Sequence, residues 1–451
     1  MDEQQTKPRA HPAATRALAL LLTINLFNYI DRQILAAVAP PLTAEFHLSD
    51  AQAGLLSTAF LYAYMIGAPI LGRMAHRVSR WWIIAGSVAI WSLASGLTGF
   101  AGNFAGLSYG FAILLASRVI VGVGEAGYGP AAPALISDYF PIERRGKMMA
   151  LFYVAIPVGS ALGYVLGGQM NKWFGWRSAF YSVVIPGLLL AMLAWFMREP
   201  HPQRKRETST GTLRADALAL LRIPSYFLNT AAMTAMTFAI GGIAFWIPKY
   251  MMQRMVEQQG LQPLIALGND AAIQQLGEIL AKVNTEFGII VVVAGILSTL
   301  TGTWLGEKLR PRFSGAYFTV SGVAILLAFP CTLAMLKLPF PYAWFAVFGS
   351  VFFLFFNTGP ANTALANVTS SHQRATAFAM NIFFIHAFGD AISPPLIGWV
   401  KTRTTWNTAF ILVSLAMVLA SALWFIAARY LGADTAVAEK IEAEQNALEA
   451  K

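Results

Sequence analysis

Residues 107–137 read LSYGFAILLASRVIVGVGEAGYGPAAPALIS, and within them only Arg118 and Glu125 carry charge. About 20 consecutive apolar residues are enough to cross the hydrocarbon core of a bilayer. The rest of the chain has the same character, because 57% of its 451 residues are hydrophobic and 12% are charged. Soluble domains carry about 25% charged residues. This composition excludes a disordered chain, a fibrous repeat and a disulfide scaffold, and the single Cys331 cannot pair within the chain.

Twelve apolar stretches of transmembrane length lie along the chain, the first from Thr15 to Leu42. They are continuously apolar rather than alternating, which excludes a closed β-barrel. Of the 32 lysines and arginines, 22 fall on the side of the membrane that holds both termini, 8 on the other side and 2 within spans. Positive loops face the cytoplasm. The sequence therefore predicts twelve transmembrane helices with both termini cytoplasmic.

The two halves of the chain repeat each other at an offset of 230 residues, which aligns Gly129-Pro130-Ala131 with Gly359-Pro360-Ala361. Arg144 then aligns with Arg374, and Gly168 with Gly398. Parallel six-helix repeats are typical of one class of secondary transporter, with the substrate held between the halves. We therefore predict an all-α membrane protein of two parallel six-helix repeats. The predicted regions are an N-terminal tail (1–14), a first bundle (15–197), a cytoplasmic linker (198–223), a second bundle (224–431) and a C-terminal tail (432–451).

Five charged residues lie well inside the predicted spans: Asp31, Arg32, Arg118, Glu125 and Asp390. Each costs roughly 2.5–3.5 kcal/mol at a helix centre, so each needs a partner or a function. Arg118 and Glu125 are seven residues apart and share a helical face. We expect the first and fourth spans to meet, with the two carboxylates Asp31 and Glu125 sharing both guanidinium groups. A carboxylate whose distance from an arginine changes between conformations binds and releases a proton; the alternative is a static ion pair that locks two helices.

In the second half, His386 lies four residues before Asp390 on the same helical face. Such a pair can relay protons, or Asp390 can bond to backbone near a helix end. The string Gly122-Val-Gly124-Glu125-Ala-Gly127 matches a dinucleotide-binding pattern but lacks the strand–helix context that this function needs. We interpret these glycines, and Gly159, Gly163 and Gly167, as positions of close helix approach. No metal-ligand spacing or phosphate-binding loop is present, so we expect no cofactor.

The turn after the second span, Gly72-Arg-Met-Ala-His76-Arg77-Val-Ser-Arg80, clusters cations, and Asp138 ends the fourth span on the same predicted side. A contact from Asp138 to Arg77 or Arg80 would form a cytoplasmic gate. The alternative is that these cations only set the topology.

These segments resemble the major facilitator superfamily. The Gly72–Arg80 turn is similar to its loop between the second and third helices, with His76 and Ser79 in place of the usual Asp and Gly. More specifically, Phe27-Asn-Tyr-Ile-Asp31-Arg32, Gly122-Val-Gly-Glu125-Ala, Pro130-Ala-Ala-Pro and Ser137-Asp-Tyr-Phe-Pro resemble the Spinster family. The resemblance implies lysolipid- or sphingolipid-like substrates. For bacterial members it also implies proton coupling at Asp31, Arg32, Arg118 and Glu125.

The sequence thus predicts a proton-coupled secondary transporter of an amphipathic substrate rather than an enzyme. The alternative is a proton-coupled transporter of small organic anions or drugs on the same fold. We further expect membrane lipid as a partner, no nucleic acid, a monomer, and a multi-pass protein of the bacterial inner membrane. The candidate substrate contacts are Arg32, Arg118, Tyr128, Tyr153, Asn357, Asn362, His386 and Asp390.

Overall fold

The apolar stretches form helices in a computed structural model, which describes residues 12–74, 77–102, 109–199 and 213–449. No strand occurs among these residues. The helices of the first half are α1 (Ala14–Ala37), α2 (Ala39–Glu45), α3 (Asp50–Met74), α4 (Arg80–Gly99), α5 (Gly110–Ala126), α6 (Tyr128–Tyr139), α7 (Ile142–Phe174) and α8 (Trp176–Trp195).

The amphipathic run at the end of the linker forms α9 (Leu213–Leu221). It is followed by α10 (Pro224–Gln258), α11 (Gln262–Ala266), α12 (Asp270–Leu309), α13 (Ala316–Lys337), α14 (Tyr342–Phe355), α15 (Thr358–Asn367), α16 (Ser371–Ile385), a π-helical turn (His386–Asp390), α17 (Ser393–Arg403), α18 (Trp406–Ala427) and α19 (Leu431–Glu449).

Eleven helices in the described part of the chain are long and apolar enough to cross a membrane, where α5–α6, α14–α15 and α16–α17 each count as one. Helix α1 has the length but is not among them. Its polar residues Asn25, Asn28, Asp31, Arg32 and Gln33 lower its mean hydropathy. The all-helical membrane fold is thus confirmed, while the count of twelve spans and the side of the termini stay predictions.

The internal repeat appears in the structure as the same helix break in both halves. Helix α5 ends at Ala126 and α14 at Phe355, and in each case a new helix begins two residues before a proline, Pro130 or Pro360. A proline lacks an N–H group and its ring clashes with the carbonyl four residues earlier, which here belongs to Ala126 or Phe356. The aligned Gly-Pro pairs therefore interrupt the fourth and tenth predicted spans at equivalent points.

Helices α1 and α7 pack closely along the predicted glycine positions. A Cβ atom added at Gly159 would lie 2.7 Å from the carbonyl oxygen of Leu26, and one added at Gly163 would lie 2.5 Å from that of Ile30. At Gly167 the Cβ would lie 2.7 Å from the Ala37 side chain. The absence of side chains at these positions lets the two backbones touch, as in small-residue interfaces of membrane helices.

The chain forms two compact units. The first contains residues 1–48, 59–207 and 260–288, and the second contains 49–58, 208–259 and 289–451. Two continuous helices are therefore divided between the units: α3 after residue 58 and α12 after residue 288. The predicted domain boundaries follow the repeat rather than these units and stay a prediction.

Candidate functional site: a buried ion network on α1, α4 and α5

The two charged residues of α1 and the two of α5 lie within the first compact unit. Asp31, Arg118 and Glu125 are buried, at 1–2% exposure. Arg32 Nε donates to Glu125 Oε2 at 2.7 Å, and the Glu125 side chain is fully shielded from solvent while that of Arg32 is 20% exposed. This pair joins α1 to α5, as the cost of unpaired charge in a membrane requires.

Asp31 and Arg118 are joined through hydroxyl groups of α4 rather than directly. Ser95 donates to Asp31 Oδ1 at 2.5 Å, and Arg118 Nη2 donates to Thr98 Oγ1 at 2.9 Å and to Ser95 Oγ at 3.5 Å. The first and fourth spans therefore meet as expected, through Arg32 and Glu125. The expected direct pairing of Asp31 with Arg118 is replaced by a bridge through Ser95. Ser92, Ser95 and Thr98 recur at helical spacing in α4, which places them on one face of the helix but does not indicate that this face meets a charge.

Three aromatic rings surround the Arg32 guanidinium. Its central carbon lies 5.0 Å from the ring centre of Tyr29, 4.9 Å from that of Phe60 and 5.3 Å from that of Tyr64. A cation over an aromatic face gains about 0.5–2 kcal/mol per contact, more when both are dehydrated. We call Tyr29, Phe60 and Tyr64 the aromatic box; it stabilises Arg32 as a cation next to Glu125.

Each buried carboxylate also keeps one oxygen without a hydrogen-bond partner in the described structure. These atoms are Oδ2 of Asp31 and Oε1 of Glu125, and Nε of Arg118 is likewise unpartnered. A buried polar atom without a partner is destabilising by about 1–3 kcal/mol, more if it is charged. Both oxygens are thus positions where a bound proton or a new hydrogen bond would be favourable.

His386 and Asp390 form the predicted pair in the second unit. His386 Nδ1 lies 3.0 Å from both carboxylate oxygens of Asp390, and the two side chains are 24% and 21% exposed. The pair sits in the π-helical turn between α16 and α17. Such turns are rare and often occur at functional sites.

The predicted cytoplasmic gate has Arg80 at its centre. Arg80 Nη2 lies 2.6 Å from Asp138 Oδ2 and 3.3 Å from Glu199 Oε2, and the Arg80 backbone N–H donates to Glu199 Oε1 at 2.5 Å. Glu199 was missed because it is the second residue of the predicted linker, where most of the charged residues are cations. Arg77 is exposed and takes part in no ion pair among the described residues. A Cβ atom added at Gly72 would lie 3.9 Å from Cγ of Pro130, which is an ordinary van der Waals distance. His76 lies outside the described residues.

The other candidate substrate contacts are partly engaged by the fold itself. Tyr128 donates its hydroxyl to the Leu21 carbonyl at 2.6 Å, and Asn362 Nδ2 donates to Thr358 at 2.7 Å. Asn357 Nδ2 donates to Leu354 at 2.7 Å, but its buried Oδ1 has no partner in the described structure. Tyr153 is 50% exposed. Asn357 and Tyr153 therefore retain the most capacity for a ligand.

The chain is similar to known membrane transporters in sequence and in fold. The family profile of the Major Facilitator Superfamily matches residues 21–386. The chain is 34% identical to Protein spinster of Drosophila melanogaster over 85% of its own length and 61% of that protein. It is 33% identical to Protein spinster homolog 3 of Danio rerio over 87% of this chain and 78% of that one. For Protein spinster homolog 1 of Homo sapiens the identity is 32%, over 87% of this chain and 74% of the human protein.

The chain belongs to the Spinster family of the major facilitator superfamily. It is therefore a multi-pass integral membrane transporter, and the family and fold are those of transporters rather than enzymes. The predicted family resemblance is confirmed.

Solved structures of other transporters have a similar fold. The chain is similar to a bacterial homolog of the human lysosomal transporter Spinster in an inward-facing, unoccupied conformation, with a TM-score of 0.73, 22% identity, and coverage of 96% of this chain and 99% of that one. It is also similar to the inward-open xylose transporter XylE of E. coli, with a TM-score of 0.67, 15% identity, and coverage of 91% and 96%. At these identities the likeness concerns the fold alone.

Proposed function

We propose that the chain couples proton movement to the transport of an amphipathic, lysolipid- or sphingolipid-like substrate. The observation that supports coupling most directly is the pair of buried carboxylates, Asp31 and Glu125, each with one partnered and one unpartnered oxygen. Two arginines lie in the same layer, but only Arg32 makes a direct ion pair with either carboxylate. A static lock between two helices would not need four charges.

The coupling cycle follows from the electrostatics of this layer. With Arg32 bound, Glu125 is favoured as an anion; if Arg32 leaves, the buried carboxylate is favoured as a neutral acid. Movement of α1 relative to α5 therefore takes up or releases a proton. Separation of Arg32 from the aromatic box or from Glu125 costs free energy. The protein therefore changes between two discrete arrangements of this layer rather than through a gradual series.

The substrate class rests on the family resemblance. An amphipathic molecule needs apolar contacts for its chain and a few polar groups for its head. Tyr153, Asn357, His386 and Asp390 offer such polar groups, with Arg32 and Arg118 as alternatives if the substrate is a small organic anion. We also propose that the protein is a monomer in the bacterial inner membrane, with membrane lipid as a partner. The proposal includes no nucleic-acid partner and no cofactor other than the proton as coupling ion.

Proton coupling is tested with the purified protein in liposomes that contain a pH-sensitive dye. We expect a fluorescent lysophospholipid to drive proton movement with the wild type but not with Glu125→Gln, while Glu278→Gln serves as the control because Glu278 is half exposed. If Glu125→Gln and Asp31→Asn both retain pH-dependent uptake, the coupling site lies elsewhere. If the protein transports a small organic anion and not the lysophospholipid, the proposed lipid substrate is wrong. Proton coupling is then tested with that anion by the same comparison of the wild type with Glu125→Gln.

A further inference from the structure

An exposed groove with a volume of about 650 Å³ lies in the second unit, along the helices α10 and α18. Its lining is apolar except for Thr230 and Thr234, and Thr234 donates its hydroxyl to the carbonyl of Thr230 at 2.8 Å. Pockets that hold small ligands have volumes of about 300–1,000 Å³, so the groove is large enough for a bound molecule. Because the lining offers so few hydrogen-bonding groups, the groove is suited to a hydrocarbon chain.

The length of the groove matches the depth of one membrane leaflet. Its lining extends from Phe227 to Phe238 on α10 and from Leu412 to Leu423 on α18. Eleven helical residues span about 16 Å along the helix axis, and half of the hydrocarbon core of a bilayer is about 15 Å thick. An acyl chain that enters from one leaflet therefore has the length that the groove offers.

Small side chains next to large exposed ones create the groove. Ala231 and Ala235 line it on α10 and Ala416 lines it on α18, while the neighbouring Leu415 and Leu419 are 57% and 56% exposed. Both helices are long and apolar enough to cross a membrane, so hydrocarbon rather than water contacts these side chains. The alanines thus provide space for an acyl chain, and the leucines provide apolar surface beside it.

The π-helical turn borders the same groove. Phe384 and Phe388 line it, with their ring centres 5.9 Å apart and their planes nearly parallel. A Cβ atom added at Gly389 would lie 3.0 Å from the carbonyl oxygen of Thr234, so the turn is in close contact with α10. A chain bound in the groove would therefore cover both rings and hold the turn against α10.

Two exposed arginines lie at one end of the groove. Arg222 directly follows the lining residue Leu221, and Arg429 lies six residues after the lining residue Leu423. Neither arginine takes part in an ion pair within the part of the chain that the structure describes. Both guanidinium groups are thus available to an anion at this end of the groove.

A hydrogen bond fixes the two arginines on the same side of the membrane. The backbone N–H of Ser225, in the first turn of α10, donates to Asp434 Oδ2 at 2.9 Å, which joins the start of α10 to the chain that follows α18. The nearby carboxylate of Asp434 is therefore already bound to a helix N-terminus, where it is favoured. The distribution of lysines and arginines predicts that this side faces the cytoplasm.

We propose that this groove binds one acyl chain of an anionic membrane phospholipid whose head group lies beside Arg222 and Arg429. Basic sites between transmembrane helices bind anionic lipid head groups on the cytoplasmic side of membranes. Two copies of the chain joined at this groove would bring four arginines together, and such like-charge contacts disfavour a dimer. The inference rests on the proposal that membrane lipid is a partner, and not on proton coupling or on the transported substrate.

Native mass spectrometry of the full chain in detergent tests the head-group contact, with phosphatidylglycerol and phosphatidylcholine of identical acyl chains as the probes. We expect the wild type to retain one phosphatidylglycerol in preference to phosphatidylcholine. Combined Arg222→Gln and Arg429→Gln should weaken phosphatidylglycerol binding about 30-fold, because each cation near an anionic head group contributes about a fivefold preference. Combined Arg310→Gln and Arg312→Gln is the matched control, since it removes two exposed charges on the same predicted side and should leave binding unchanged.

A variant that fills the groove tests the acyl-chain contact. Ala235→Phe should weaken the binding of both phospholipids by about tenfold, the effect of two methylene groups that are no longer buried. Ala116→Phe adds the same ring at an exposed position of α5 and should leave lipid binding unchanged. The melting temperature without added lipid shows whether each variant is folded.

Four results would overturn the proposal. Unchanged phosphatidylglycerol binding in the folded double-arginine variant would exclude the head-group contact, and unchanged binding of both lipids in folded Ala235→Phe would exclude the groove. Dimers that dissociate in Ala235→Phe would assign the groove to a second copy of the chain. Displacement of phosphatidylglycerol by lysophosphatidylcholine would assign it to a single-chain substrate. Because none of these measurements follows protons, the coupling proposal is judged separately.

Discussion

Replacement of Gly163 by alanine provides a direct test of how α7 positions the charged residues of α1. The added Cβ atom would lie 2.5 Å from the carbonyl oxygen of Ile30 and 2.8 Å from Cβ of Gln33. Close-packed interiors do not accept such contacts, so the helices must separate by about half an ångström or more. Ile30 directly precedes Asp31, and Arg32 is bonded to Glu125 at only 2.7 Å. The separation therefore acts on the ion network itself.

The expected loss of stability is the cost of overpacking, about 1–3 kcal/mol. For a unit of about 150–250 residues each kcal/mol corresponds to roughly 2–4 °C, so the melting temperature should fall by about 2–12 °C. Melting in detergent, followed by size-exclusion chromatography, measures this change. We also expect transport by Gly163→Ala to fall, because α1 carries half of the network.

Gly86→Ala is the matched control. A Cβ atom at Gly86, in the middle of α4, would have no other atom within 4 Å. Alanine is favoured over glycine in a helix interior by up to about 1 kcal/mol, so this variant should melt at or above the wild-type temperature. A melting temperature of Gly163→Ala within about 1 °C of that of Gly86→Ala would show that α1 and α7 do not touch at this point.

Two further predictions concern ion pairs outside the central network. Arg80→Gln should lower the melting temperature by several degrees because two carboxylates lose their partner, whereas Arg77→Gln should leave it unchanged; equal effects would contradict the assigned contacts. Hydrogen bonds from Arg177 lower the pKa of Glu45, so this pair should stabilise the fold near neutral pH and lose its contribution as the pH falls through that lowered pKa. The melting difference between wild type and Glu45→Gln should accordingly vanish in acid, and a difference that grows there would show the opposite sign of the shift.

Charged residues inside spans were the easiest part of the site to predict. Burial of charge in a membrane costs free energy, so charged residues within apolar spans are strong candidates for a functional site. This criterion selected Asp31, Arg32, Arg118 and Glu125. Ser95 did not, because hydroxyl groups are common in membrane helices, where most bond to a carbonyl of the preceding turn, as Ser92 does with Val88. A hydroxyl is informative only once its distance to a charge is known.

The helix breaks near Pro130 and Pro360 were not predicted, although a proline acts locally and the aligned Gly-Pro pairs could have indicated them. Long-range pairs were not predictable in the same way. Lys249 donates to Asp50 at 2.6 Å, yet the two residues are 199 positions apart and each looks like a loop residue at the end of a span. The positive-inside rule assigns Lys249 to a side of the membrane but says nothing of its partner. The aromatic box was also missed, because aromatic rings in membrane helices often face lipid and their sequence does not show which of them contact a cation.

The division of α3 and α12 between the compact units has a consequence for any attempt to separate the two repeats. A fragment that ends at residue 197 lacks residues 260–288, which belong to the first unit. The surface around Gly168 and Ala161, shaped to receive the backbone of α12, would be left without its partner. The second repeat alone would in turn expose Gly398, which packs against the Asp50 backbone, and leave Lys249 and Lys401 without the Asp50 carboxylate that both contact. Each repeat thus completes the other, and the duplicated sequence encodes two halves that are alike in form but cannot be cut apart at the linker without loss to both.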